Sequence, residues 1–315
     1  MAESTKKVSC RKAFSSALEA LAAKDESIYL ICTDSRGSVT AGGFAEKFPT
    51  RFIEAGIAEQ NAVGIAAGLA ETGKNVFVAG PACFLAARSY EQIKVDVAYN
   101  RLNVKIVGVS AGVSYGPLGG THTALHDIAG MRALPNIQVF VPSDNFVTAF
   151  IVDVFGKSCE PAYMRTGRGD VPAIYDENDT FEIHKAKQVI DGKDATIIAC
   201  GEMVYPAKMA AELLSREGIS VRVLDMFCLK PYDKEAIIKA AKETKAIVTV
   251  EEHSIYGGLG ELVCAVTAQN CPVPVKVMGF PDEEYKIGSS AELFEYYGFT
   301  PQNIAEEVKK LVRNI

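Results

Sequence analysis

The sequence predicts an α/β protein of two domains, each a mostly parallel sheet with helices on both faces. Short β-branched runs alternate with stretches of helical period along nearly the whole chain, as doubly wound sheets require. A Gly-, Pro- and acid-rich segment, GRGDVPAIYDENDT over Gly167–Thr180, interrupts that alternation near the middle and reads as a linker. The length of 315 residues also exceeds what one ordinary core accommodates.

Before the linker, strands are predicted over 28–33, 75–79, 104–109, 137–141 and 162–165, and helices over 9–23, 58–72, 84–99 and 143–155. After it, strands are predicted over 195–199, 221–224, 246–250 and 275–277, and helices over 205–217, 234–241, 259–268 and 301–312. The expected division is a doubly wound parallel-sheet domain at 1–175 and a smaller α/β domain at 185–315.

Composition narrows the class. Hydrophobic residues make up 48% and charged residues 23%, the balance of a soluble globular protein. A net charge of -6 argues against a nucleic-acid partner, yet a few local Arg would suffice for a phosphorylated substrate. The eight Cys form no CxxC pair and several sit in apolar runs such as Ile198-Ala199-Cys200, so they read as reduced core thiols of a cytoplasmic protein. The opening MAESTKKVSC has no apolar segment of a signal peptide, and no run is long enough to cross a bilayer.

Fold class alone assigns no chemistry. Gly257-Gly258-Leu259-Gly260 tempts a dinucleotide reading, but the full G-x-G-x-x-G is missing and a helix-opening turn is preferred. No GxxxxGK[ST] occurs. In FIEAGIAEQNAVGIAAGLA (52–70), Glu59 falls in the first turn of a helix, where a carboxylate suits the dipole. The Ala and Gly residues behind it would let another helix approach closely, and a carboxylate buried there would need a partner. VSAGVSYGPLGGTHTALHD (109–127) is a Gly-rich loop after a strand, placed where parallel sheets bind ligands, and it carries His122 and His126. His126 reads as a helix-start or surface residue, and a zinc site would want more ligands nearby. In CFLAARSYEQ (83–92), Phe84 and Tyr90 alone would pass as core, and Arg11, Arg165 and Arg168 singly as surface charges.

Taken together, these segments resemble the C-terminal half of transketolase over nearly the whole chain. The resemblance rests on FIEAGIAEQNAVGIAAGLA, CFLAARSYEQIKVDVAYNRLNVKIVG and GGTHTALHDIAGMRALPNIQVFVPSD in the first domain. In the second it rests on VRVLDMFCLKPYD and VEEHSIYGGLGELV. It implies that 1–175 is a pyrimidine-binding domain for thiamine diphosphate and that 185–315 is a C-terminal domain of structure and interfaces. Glu59 would hydrogen-bond a pyrimidine ring nitrogen, favouring the tautomer that takes the proton from the thiazolium carbon. Phe84 would stack on the pyrimidine, with Tyr90 in the same pocket. His122 would line the substrate channel, and Arg11, Ser38 and Arg168 would hold the phosphate of sugar phosphates.

The resemblance also implies a partner. The GDG…NN motif for the diphosphate and its metal, Mg2+ or Ca2+, occurs nowhere in these 315 residues. An N-terminal subunit carrying it is expected, two copies of each chain per assembly, with this chain inactive alone. Two positions depart from the family pattern: Ser110 where a phosphate-contacting His is usual, and Leu118 where an Asp reads a donor hydroxyl. Both losses remove polar recognition, so a branched, deoxy or otherwise unusual sugar phosphate is expected. Rival readings are the beta subunit of a 2-oxo acid dehydrogenase decarboxylase component, a non-catalytic regulatory subunit, and a nucleotide-binding α/β protein. The GGTHTALHD stretch and Gly279–Asp282 fit the first less well, the presence of Glu59, Phe84 and His122 argues against the second, and the missing phosphate loops against the third.

Overall fold

Apolar runs buried on both faces form the strands at the centre of two sheets. The computed structural model describes residues 7–313. In the first half the strands are β1 (Ile28–Cys32), β2 (Phe52–Glu54), β3 (Asn75–Pro81), β4 (Val104–Val109), β5 (Gln138–Phe140) and β6 (Ala162–Arg165). In the second they are β7 (Lys187–Ile190), β8 (Ala195–Ala199), β9 (Val221–Asp225), β10 (Cys228–Lys230), β11 (Ile247–Ser254) and β12 (Val275–Phe280). Every residue of β3, β4 and β8 is buried, as strands covered by helices on both sides must be.

The first sheet runs β10-β5-β6-β4-β3-β1-β2 and is parallel except for β10, which pairs antiparallel with β5. The second runs β12-β11-β8-β9-β7, with only β7 antiparallel. The connecting helices are α1 (Cys10–Ala22), α2 (Glu59–Glu71), α3 (Ala82–Arg88), α4 (Asp127–Ala133), α5 (Asn145–Lys157), α6 (Val204–Arg216), α7 (Lys234–Glu243), α8 (Leu259–Asn270), α9 (Ser290–Tyr296) and α10 (Pro301–Arg313). No helix among the described residues is long and apolar enough to cross a membrane.

Several expectations need correction. The helix expected over 84–99 breaks after α3, where Ser89 Oγ donates to the Leu85 carbonyl at 2.5 Å, and continues as a short turn and a π-helix, Ile93–Tyr99. The segment 167–180 is no free linker. Val171–Pro172 pairs with Lys7–Val8, Asp144 accepts from the Ile174 and Tyr175 amides, and the Tyr175 hydroxyl donates to Asp225 Oδ2 at 3.0 Å. Strand β10 comes from the second half yet completes the first sheet, so the two halves share backbone hydrogen bonds. Of the eight cysteines, Cys159 is exposed and Cys264 and Cys271 are half-buried; the other five are core thiols.

Arg165, read as a surface charge, is only 4% exposed. Its Nη1 donates to Asp127 Oδ1 at 3.0 Å and its Nη2 to the Glu252 carbonyl at 3.1 Å. Tyr163 Oη adds a hydrogen bond to Asp127 Oδ2 at 2.6 Å. Between the halves, Glu202 and Glu252 line a cavity of about 20 Å³ together with Arg165, room for about one water. Burial first, then the facing Glu252 carboxylate, raises the Glu202 carboxyl well above the ordinary range, and Arg165 offsets part of it. Burial likewise raises Glu252, against the opposing pull of Arg165 and the Val113 amide.

Candidate active site

Ligands of open parallel sheets bind beyond the carboxyl ends of the strands, where the strand order reverses. Here the chain leaves β1 outward to β2 and returns on the other side of β1 to β3, so the reversal lies beside β1. A cavity of about 410 Å³ opens there, and each neighbouring strand end supplies part of its wall. Thr33, Asp34, Ser35 and Ser38 follow β1, Ile57 and Glu59 follow β2, Pro81 ends β3 and Phe84 follows it, and Tyr115, Leu118 and His122 follow β4.

Glu59 opens α2. That helix has no side-chain cap, and its first-turn carboxylate serves the unsatisfied amide end. Ala62, Val63, Ala66, Ala67 and Ala70 bury one face of α2, while a Cβ on outward Gly64 or Gly68 would meet nothing within 4 Å. Of the small residues expected to meet another helix, Ala62, Ala66, Ala67 and Ala70 are therefore packed within this chain, and Gly64 and Gly68 face outward. Glu59 is 5% exposed, and the partner it needs is Arg88, whose Nη1 donates to Glu59 Oε1 at 3.0 Å. The same guanidinium lies over the Phe84 ring, 4.2 Å from its centroid. Phe84 and Arg88 stand four residues apart on α3 and so share a face, a spacing readable in the sequence but not used there.

His122 meets the Phe84 ring edge-on at 5.1 Å and the Tyr115 ring at 5.9 Å. Its Nδ1 shares a hydrogen bond with Thr121 Oγ1 at 2.9 Å. Tyr115 joins this wall to a basic corner. Its hydroxyl donates to Ser38 Oγ at 3.1 Å and accepts from Arg168 Nη1 at 3.0 Å. Arg11 gives Nη1 to the Ser38 carbonyl at 2.7 Å and Nε to the Arg168 carbonyl at 3.2 Å. Burial, then the neighbouring Arg168 cation, lowers the Arg11 pKa. These contacts spend guanidinium donors on neutral acceptors and leave both charges available to an anion.

Glu59, Phe84, His122 and Ser38 thus converge on one cavity, and Arg11 and Arg168 stand directly behind Ser38 and Tyr115. Tyr90 does not join them. Its hydroxyl donates to the Gly130 carbonyl at 3.1 Å and its ring packs on α4. Ser110 is fully buried at φ 54 and stands outside the cavity wall. Leu118 is on the wall and 55% exposed. His126 is exposed at the start of α4. The glycine turn at 257–260 opens α8, and Glu251 accepts from the Leu259 and Gly260 amides at 2.7 Å each. Sequence reasoning missed Arg88, Tyr115, Thr33 and Ser35. Among the described residues Thr33 Oγ1 and Ser35 Oγ are buried on this wall without hydrogen-bond partners.

A buried carboxylate, an aromatic platform and orphaned hydroxyls line the switch-point crevice, the place where α/β proteins of this class bind small-molecule ligands. The family model "Transketolase, pyrimidine binding domain" matches residues 6–174 and "Transketolase, C-terminal domain" matches 184–304. The chain is 51% identical over 308 residues to one of the subunits of apulose-4-phosphate transketolase from Phocaeicola vulgatus, covering 97% of this chain and 98% of that one. It is 36% identical to rat transketolase, covering 97% of this chain but 49% of that protein. A split gene transketolase solved as an inactive beta4 tetramer superposes with a TM-score of 0.88 at 39% identity, covering 98% and 99% of the two chains. The chain belongs to the transketolase family.

Proposed function

We propose that this chain is the pyrimidine-binding subunit of a two-chain, thiamine-diphosphate-dependent transketolase. The carrying observation is that Glu59, Phe84 and His122 meet in one switch-point cavity. The residues suit an aminopyrimidine. Phe84 offers a stacking face, Glu59 a buried carboxyl for a ring nitrogen, and Thr33 and Ser35 buried hydroxyls that lack partners. Arg88 now covers Phe84 and Glu59, and its 48% exposure lets the side chain turn outward to admit a ring.

When bound, thiamine diphosphate supplies the electron sink for ketol transfer. Glu59 holds a proton or hydrogen bond at the pyrimidine nitrogen. His122, edge-on to Phe84, hydrogen-bonds the ketol hydroxyls of the donor. Arg11, Arg168 and Ser38 bind the phosphate of a sugar phosphate at the far corner. The diphosphate and its Mg2+ or Ca2+ belong to a partner subunit with the GDG…NN motif, in an assembly of two copies of each chain in the cytoplasm.

Leu118 cannot hydrogen-bond, so a hydroxyl placed against it loses its partner, whereas a branched ketose lacking that demand does not. The relative from Phocaeicola vulgatus is named for apulose 4-phosphate, and we take that sugar phosphate as the first donor to test. Co-purified complex should transfer a ketol unit from apulose 4-phosphate with higher kcat/KM than from xylulose 5-phosphate. The opposite order would remove the substrate reading, and no transfer from any ketose with coenzyme and metal present would favour a non-catalytic subunit.

A further inference from the structure

We propose that the second domain sets the position of the sugar-reading wall through the segment Tyr285–Ser290, a strap that makes the loop at Gly116–His122 a fixed template. The proposal rests on the reading of the cavity as a transketolase substrate site, and it assigns a positioning role to residues that do not line that cavity.

Leu118 and His122 ride on a 3-10 turn, Gly116–Thr121, in which half the residues are glycine. Gly119 has φ 70 and ψ -162, a region open essentially to glycine alone, so the backbone there has little intrinsic preference to hold it. The turn's own hydrogen bonds are local ones, from the Leu118 amide to the Tyr115 carbonyl at 2.8 Å and from the His122 amide to the Gly119 carbonyl at 3.0 Å. What fixes its outer side comes from beyond β12. A Cβ built on Gly120 would stand 2.7 Å from Tyr285 Cδ2, and one on Gly116 would stand 2.3 Å from the Gly288 carbonyl oxygen. Ile287 lies 3.4 Å from the Cβ position of Gly119. Ser290 Oγ donates to the Val113 carbonyl at 3.1 Å, pinning the start of the loop to the start of α9. Gly116 and Gly120 are therefore required by the close approach of the strap, and Gly119 by its backbone conformation.

The strap itself is anchored: Tyr297 Oη donates to Glu283 Oε1 at 2.9 Å, and Leu293 packs in the second domain's core. Yet Tyr285 and Ile287 remain 52% and 73% exposed. Residues that exposed are not needed to build a core, so their contact with the loop can be removed without unfolding the chain. Taking the Tyr285 ring off Gly120 frees the turn to move outward, and Leu118 and His122 with it. Displacement of reading groups by about 1 Å costs up to ~10²-fold in rate, so a several- to about tenfold rise in donor KM is expected.

The test uses the full chain and its complex with the diphosphate-binding partner. Tyr285→Ala should raise deuterium uptake in 113–122 and raise donor KM several-fold. The Kd for thiamine diphosphate should be unchanged, because Glu59 and Phe84 lie on α2 and α3. Tyr285→Phe, which keeps the ring, should behave as the unmodified chain, and Ile287→Ala should repeat the effect in weaker form. Unchanged deuterium uptake in Tyr285→Ala overturns the proposal, as does raised uptake with unchanged donor KM, or an equal rise in coenzyme Kd. Hydrogen exchange reports on the strap even if the complex proves inactive on every ketose, an outcome that would fall on the reading of the site instead.

Discussion

Replacing Glu59 by Gln separates its chemistry from its packing. The carboxylate is 5% exposed and accepts one hydrogen bond from Arg88 at 3.0 Å. Arg88 is 48% exposed, so water screens the pair and its contribution to stability is at most about 1 kcal/mol. Gln keeps the volume and one acceptor oxygen. We predict that Glu59→Gln lowers Tm by no more than about 4 °C. If Glu59 serves the pyrimidine nitrogen as proposed, its loss should slow proton exchange at the thiazolium carbon by about 10²–10⁴-fold. That corresponds to about 3–5 kcal/mol of barrier, several times the structural loss. The assay is deuterium exchange in the reconstituted complex, quenched in acid and read by proton NMR. Exchange within a few-fold of the unmodified complex, with coenzyme bound in both, would refute the role of Glu59. A large fall in Tm would make it a structural carboxylate.

Three further outcomes are expected. Arg168→Ala should raise KM for phosphorylated sugars by about 10–100-fold, the worth of one hydrogen bond to a charged group, and leave unphosphorylated ketoses nearly unchanged; an equal effect on both would take Arg168 out of the phosphate corner. Glu202 titrates above the ordinary carboxylate value of 4.5 in the folded chain, so the native state holds the extra proton between that value and the raised one. Stability should therefore fall as pH rises from about 5 to 8, and Glu202→Gln should flatten the fall by up to about 4 kcal/mol, three pH units at ~1.4 each; a denaturation series with parallel pH slopes in both chains would exclude it. Arg165→Met should destabilise by about 3–5 kcal/mol because Asp127 is left buried without its cation, and a loss below about 1 kcal/mol in urea melts would show the pair to be dispensable.

The parts of this fold legible in the sequence are those whose burial is uniform. β4 and β8 match the sequence expectation residue for residue because VKIVGV and ATIIA are short runs rich in Val, Ile and Thr, too short for a helix and covered on both faces. β10 was not, since three residues carry no periodicity and its partner β5 lies across the domain boundary. Arg165 read as a surface charge because a sequence does not show that Asp127 awaits it in the interior. At the candidate site, Glu59, Phe84 and His122 were found through motif resemblance, and the structure places all three on one cavity. Tyr90 was misplaced because the break at Ser89, made by one side-chain hydrogen bond, turns the Tyr90 ring onto α4. Arg88 escaped although its spacing from Phe84 puts both on one helix face.

On the proposed function, a ring-binding pocket in this chain completes a coenzyme site whose diphosphate end lies on another polypeptide. Titration calorimetry of thiamine diphosphate with Mg2+ into this chain, the GDG…NN partner and their mixture addresses it directly. Tight binding confined to the mixture, and weakened there by Phe84→Ala, is the predicted result. Equal affinity for this chain by itself would contradict it.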